Sequence, residues 1–130
     1  GRMIIPFKLR PELGENFILT RGLDNCLFIY SKEEWQEIIA KYRKLPNIKE
    51  ARNFMRFFLS GAVECELDKQ GRIKVPMPLI NYASLQKECL VIGVNDHLEI
   101  WSKELWDKFI LENEDNLSDM ADSLFASDFS

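Results

Sequence analysis

The order of landmarks in this chain is written twice, and that restricts its fold more than any other feature. Gly1-Arg2-Met3-Ile4-Ile5-Pro6 has the shape of Gly71-Arg72-Ile73-Lys74-Val75-Pro76. Downstream, Leu9 matches Leu79. After a one-residue offset Gly22 matches Gly93, Leu27 matches Leu98 and Ile29 matches Ile100. Ser31-Lys32-Glu33-x-Trp35 then returns as Ser102-Lys103-Glu104-x-Trp106, so Arg2 to Trp35 spans 33 positions and Arg72 to Trp106 spans 34. A shared order at near-constant spacing marks an internal duplication. At 130 residues the chain suits one compact domain, or two small repeats sharing a core. The strand and acidic residue that precede Gly71 have no counterpart in the first copy, and they are expected ahead of Gly1.

Each copy has a readable plan. After the proline comes a short helix, roughly 7–13 and 77–84, then two strands joined by a turn, then a longer helix. The first hairpin runs from Phe17 to Tyr30 and turns near Leu23-Asp24-Asn25; the second runs from Cys89 to Trp101 and turns at Asn95-Asp96. Ser31 and Ser102 are expected N-caps, each followed by acids that suit the helix dipole. Trp35, Ile38, Ile39 and Tyr42 form one apolar helix face, and Leu105, Trp106, Phe109 and Ile110 the other. Between the copies, residues 47–59 read as a helix with Ile48, Ala51, Met55, Phe58 and Leu59 along its stripe. Phe54 and Phe57 fall outside that stripe, which points to a subunit contact at Phe54, Phe57 and Phe58, with simple burial inside the monomer as the alternative. Arg52 and Arg56 sit one turn apart on the same helix, either solvated or forming a rim that faces phosphate.

The most informative single stretch is Val63-Glu-Cys-Glu-Leu-Asp-Lys-Gln-Gly-Arg-Ile-Lys-Val-Pro76. Val63, Cys65 and Leu67 alternate with Glu64, Glu66 and Asp68, then Ile73, Val75 and Met77 alternate with Lys74. The pattern predicts a hairpin whose tight turn, Asp68 to Arg72, depends on Gly71 for its backbone freedom. Lys69 and Arg72 would face solvent, and Asp68 would hold the arginine in place. Taken alone, Asp-x-x-x-Arg is also what a surface salt bridge looks like. The second Gly-Arg, at Arg2, places two arginines on pseudo-symmetric tips. Arginine carries a rigid fork of donors that fits phosphate oxygens and the acceptor edge of guanine, and a β-ribbon tip is narrow enough for a major groove.

Charge is unevenly placed. The net charge of -4 owes much to the tail, where Glu112, Glu114, Asp115, Asp119, Asp122 and Asp128 meet no base; without them 17 bases face 15 acids. Arg2, Lys8 and Arg10 open the chain with no acid among them, and residues 41–56 carry six bases against Glu50 alone. Local patches decide binding, so an acidic total leaves a DNA partner open. Catalytic patterns are missing: no Gly-rich phosphate loop, no nucleophile elbow, no HExxH, and His97 as the one histidine. The reading is therefore not an enzyme, with no cofactor, no metal site and no small-molecule substrate. Cys26, Cys65 and Cys89 are odd in number and widely spaced, as reduced thiols of a cytoplasmic protein would be. No apolar run reaches the roughly 18 to 20 residues that cross a bilayer, so no membrane partner is expected.

The stretch Gly61 to Pro76 resembles the MraZ family, bacterial transcriptional regulators of the division and cell-wall gene cluster. So do Leu19-Thr-Arg-Gly-Leu-Asp-Asn-Cys-Leu27, Phe57-Phe-Leu-Ser-Gly-Ala62 and His97-Leu-Glu-Ile-Trp101. The resemblance covers nearly the whole chain and is weakest in the tail. It implies an α+β fold, a duplicated swapped-hairpin (AbrB-like) β-barrel with peripheral helices. The first repeat would span 1–45, a linker helix 46–60, the second repeat 61–112 and the acidic tail 113–130. It also implies a ring homo-oligomer, nucleoid-associated in the cytoplasm, that represses by binding short direct repeats in double-stranded promoter DNA. It carries Asp68 and Arg72 onto the family's Asp-x-x-x-Arg motif, and Arg2 onto the arginine of the first copy. Lys69, Lys74, Lys8 and Arg10 are the expected phosphate contacts. The competing reading is an AbrB-like protein-binding module of the antitoxin or adaptor type, without specific DNA binding.

Overall fold

The structure is a computed structural model that describes the backbone of residues 1–129 and the side chains of residues 1–126. Asp128 of the acidic tail and Ser130 lie outside the described side chains. The fold is mixed α+β with antiparallel strands. Strands β1 (Arg2–Ile4), β2 (Asn16–Arg21), β3 (Leu27–Ser31), β4 (Val63–Glu66), β5 (Arg72–Lys74), β6 (Cys89–Val94) and β7 (His97–Ser102) follow in order. Helices α1 (Lys32–Tyr42), α2 (Lys49–Ser60), α3 (Met77–Ala83), α4 (Lys103–Asn113) and α5 (Leu117–Phe129) complete it, with 3-10 turns at Phe7–Leu9 and Glu114–Asn116.

The two copies interleave rather than stand side by side. Five strands form one sheet in the order β4-β2-β3-β7-β6, and β1 pairs with β5 in a separate two-stranded ribbon. The sequence joins β4 and β5 as partners in one hairpin, and here the structure differs. Strand β4 pairs with β2, with Phe17 opposite Cys65, and β5 pairs with β1, with Met3 opposite Ile73. Each arm of the expected hairpin thus takes its partner from the other copy. The strands close no barrel among the described residues; the ribbon and the five-stranded sheet are distinct ladders.

The seam between the copies is the β3–β7 ladder, where Leu27 faces Ile100, Phe28 faces Glu99 and Ile29 faces Leu98. Strand β3 is buried on both sides, which accounts for its unbroken apolar run Leu27-Phe28-Ile29-Tyr30. Leu27 and Ile29 enter a core shared by both copies, with Ile5, Phe17 and Leu19 from one and Ile73, Leu79 and Ile100 from the other. Phe28 and Tyr30 point to the opposite face, into an aromatic layer with Phe58 and Trp101 that α1, α2 and α4 cover. The ladders also correct one detail of the repeat. Hairpin β6–β7 pairs Gly93 with Leu98 and Val94 with His97, whereas β2–β3 pairs Arg21 with Leu27, so Arg21 is the counterpart of Gly93 and Gly22 that of Val94.

Local chemistry behaves as the sequence indicates at most ends. Ser31 and Ser102 cap α1 and α4, their hydroxyls accepting from the backbone N–H of Glu34 and Leu105 at 3.1 Å each. Asp24, Asn25 and Asn95 take positive φ in the hairpin turns. The expected face of α2 is rotated: Ile48 and Leu59 are exposed, while Phe54 stacks on Phe58 at 5.5 Å. Phe58 is only 3% exposed and also stacks on Trp35 at 5.3 Å, so it belongs to the core and not to a subunit contact. Phe54 is half-buried against Tyr42 and Phe58; of the three phenylalanines Phe57 alone stands out, at 60% exposure. The three cysteines are free thiols, and burial pushes Cys65 up to about 11.

His97 braces the seam. Its ring lies 4.3 Å from Phe28 and 5.4 Å from Tyr30, with Nδ1 2.7 Å from Asp96 Oδ1 and Nε2 3.2 Å from Glu99 Oε2. Glu99 in turn accepts from the Trp101 indole N–H at 2.9 Å. Burial alone would lower the histidine pKa, but the hydrogen bonds and charges of Glu99 and Asp96 outweigh it and raise the value above 6.5. A raised folded-state pKa gives stability that is complete below 6.5 and fades as the pH climbs through the folded value. Thermal melts across that window should therefore show the wild type losing stability toward alkaline pH, and His97→Gln should flatten that slope. A slope unchanged in the variant would assign it to other groups.

Candidate functional site

Strand parity decides what the β1–β5 ribbon presents. Arg2 lies opposite Lys74 and Ile4 opposite Arg72, so these four side chains share one face. Met3 and Ile73 turn the other way and join the shared core. The outer face is therefore basic by construction, because alternation sends every charged residue of both strands outward.

Asp68 organises that face. Its Oδ1 accepts from the backbone N–H of Gln70 and of Arg72 at 2.9 Å each, closing the turn with a side chain in place of a strand. The Asp68 N–H donates to Arg72 O at 2.9 Å and the Gly71 N–H to Asp68 O at 3.0 Å. The other carboxylate oxygen, Oδ2, accepts from Arg72 Nε at 2.9 Å and, more loosely, from Arg2 Nη1 at 3.5 Å. One carboxylate thus orients arginines from both copies. The backbone N–H of Arg72, with the guanidinium and the Gln70 N–H, holds its pKa below the usual carboxylate range, so it is ionised at neutral pH.

Two separate arginine tips were expected, and the structure brings them to one place. Arg2 and Arg72 retain 56% and 36% side-chain exposure, so neither guanidinium is packed inward. Lys69 at the turn, Lys74 beside Arg2, and Lys8 after Pro6 are all exposed. Arg10 is tied into the fold. Its Nε donates to Ile5 O at 2.8 Å, its guanidinium lies 5.4 Å over the Phe7 ring, and it presses against Gly71 so closely that any Cβ there would collide. Gly71 also has φ +75, so the turn needs glycine for its conformation, and a Cβ there would displace the Arg10 guanidinium. Arg10 is therefore half-buried and clamps the turn from below.

Sequence reasoning missed both Arg10's clamp and the bond from Arg2 to Asp68, since each crosses from one copy to the other. It also missed Arg21, which donates to Phe57 O at 3.0 Å and Ser60 Oγ at 3.1 Å and lies 5.3 Å over the Phe57 ring. No group of three or more His, Cys, Asp or Glu side chains able to hold a metal exists among the described residues. No helix among them is long and apolar enough to cross a membrane. A family model described as "MraZ protein, putative antitoxin-like" matches the chain twice, over residues 1–57 and 58–128.

Proposed function

The chain belongs to the MraZ family, and on that premise we propose that it is a sequence-specific DNA-binding transcriptional regulator that grips duplex DNA with the outer face of the β1–β5 ribbon. The observation that carries this reading is the carboxylate of Asp68, which holds Arg72 at 2.9 Å and lies 3.5 Å from Arg2 on the same exposed face. A guanidinium held at Nε keeps its two terminal nitrogens free for guanine O6 and N7 or for phosphate oxygens. A two-stranded ribbon fits a major groove about 12 Å wide. Lys74 beside Arg2, with the exposed Lys69 of the turn and the exposed Lys8, adds flexible charges that suit phosphate contacts and carry no sequence information.

Each subunit then offers one basic ribbon, and self-assembly into a ring multiplies it. A single ribbon binds weakly. Several on one assembly gain avidity where the promoter repeats recur at the spacing of the subunits, near one helical turn or about 10 bp. Repression of the division and cell-wall cluster would follow from occupying its promoter.

A gel shift on direct-repeat and scrambled duplexes tests this. Arg72→Ala should cost about 1 to 3 kcal/mol on the repeat and abolish the preference for it, whereas Lys74→Ala should weaken both duplexes alike and lower the salt slope by about one. Equal retardation of wild type and Arg72→Ala on both duplexes would defeat the proposal. The family's description as antitoxin-like and the exposed Phe57 favour a second reading, a protein-binding module. That reading expects Phe57→Ala to abolish capture of a partner, and expects no duplex to be retarded.

A further inference from the structure

We propose that Ile4 reads the 5-methyl group of a thymine adjacent to the base pair contacted by Arg72. The inference rests on the ribbon being the DNA-binding face and adds what that face recognises. Its basis is the register. Ile4 sits directly across the ladder from Arg72, on the outer side, and is 60% exposed. The inner side of the same ribbon already supplies the core through Met3 and Ile73. Ile4 is thus a branched apolar side chain set among Arg2, Arg72 and Lys74, on a face that alternation otherwise makes wholly basic.

Dimensions agree with a base-step relation. Side chains paired across an antiparallel ladder stand roughly 4.5 to 5.5 Å apart at Cβ. Stacked base pairs rise about 3.4 Å, so a guanidinium on one pair leaves its ladder partner over the next. In the major groove the thymine methyl is the one apolar group among the base edges, and an aliphatic side chain is its natural contact. An exposed isoleucine beside a phosphate would gain nothing. Beside a methyl group it removes apolar surface from water on both partners.

The test varies the DNA while leaving the protein intact. The duplex that the wild-type chain selects from a random pool is resynthesised with each thymine replaced in turn by uracil, which deletes only the methyl group. At one thymine next to the guanine whose substitution is silent in Arg72→Ala, uracil should weaken wild-type binding about fourfold, the worth of one buried methyl-sized group. Ile4→Ala should bind the thymine and uracil duplexes equally, with a melting temperature matching wild type. Uracil tolerated at every position, or a methyl effect that persists in Ile4→Ala, overturns the assignment of Ile4 and leaves the ribbon reading intact. Failure of the wild type to select any duplex removes both.

Discussion

On the proposed DNA-binding role of the ribbon, Asp68→Ala is expected to weaken binding by about tenfold, although it removes a negative charge from a basic face. Simple electrostatics predicts the opposite sign, since one fewer anion should strengthen a counterion-driven complex. The difference comes from what the carboxylate holds. Oδ1 closes the turn through two backbone N–H groups, and Oδ2 aims Arg72 and Arg2 together. Freed from it, two long side chains must be ordered at the moment of binding, and the turn that carries one of them loosens. Asp68→Asn keeps an acceptor for the backbone but sets an amide against the guanidinium, so it should fall between wild type and alanine. Affinities measured at one salt concentration decide the matter. Tighter binding by Asp68→Ala would show that the carboxylate is only a charge in the way. The same residue gives the turn an acid limit: with its pKa lowered on folding, its contribution is complete above the ordinary carboxylate value and disappears as the pH falls through the folded one.

What the sequence discloses about this site is set by how local each cause is. The turn from Asp68 to Arg72 is readable because all its bonds lie within five residues, and Gly71 announces the positive φ that it adopts. The caps at Ser31 and Ser102 are readable for the same reason. Strand partnership is not local. Alternation shows that 63–66 and 72–74 are strands, but it is silent on whether they pair with each other or with β2 and β1, because both arrangements bury the same residues. The exchange of strands is what carries Arg2 to Asp68, so a reading that paired β4 with β5 placed the arginines on separate tips. Helix α2 misled for a related reason. It has apolar residues on more than one side, and periodicity alone does not say which side meets the sheet. The aromatic layer of Tyr30, Trp35 and Tyr42 selects the Phe54–Phe58 side, since flat rings stack there, and leaves Ile48 and Leu59 on the surface.

Phe58→Ala is expected to destabilise the fold by about 3 to 5 kcal/mol, the range for deleting a buried phenylalanine ring. Phe58 stacks between Phe54 and Trp35 and meets Tyr42 edge-on at 5.4 Å, so its loss opens a cavity lined by rigid rings that collapse poorly. Its backbone also matters, because Phe58 O accepts the buried Thr20 hydroxyl at 2.5 Å and ties α2 to β2. A helix shifted into the cavity would strain that bond. Phe57→Ala, one residue earlier, removes an exposed ring whose main partner is Arg21, and should cost under about 1 kcal/mol. Denaturant melts of the two variants separate the roles that a run of adjacent aromatics leaves merged. A large loss for Phe58 and a small one for Phe57 mark the first as core and free the second for a contact between subunits, which light scattering on Phe57→Ala would then report. Equal, small losses would mean that α2 is held by something other than its aromatic face. In that case the surface assigned to Phe57 would be no better defined than the core assigned to Phe58.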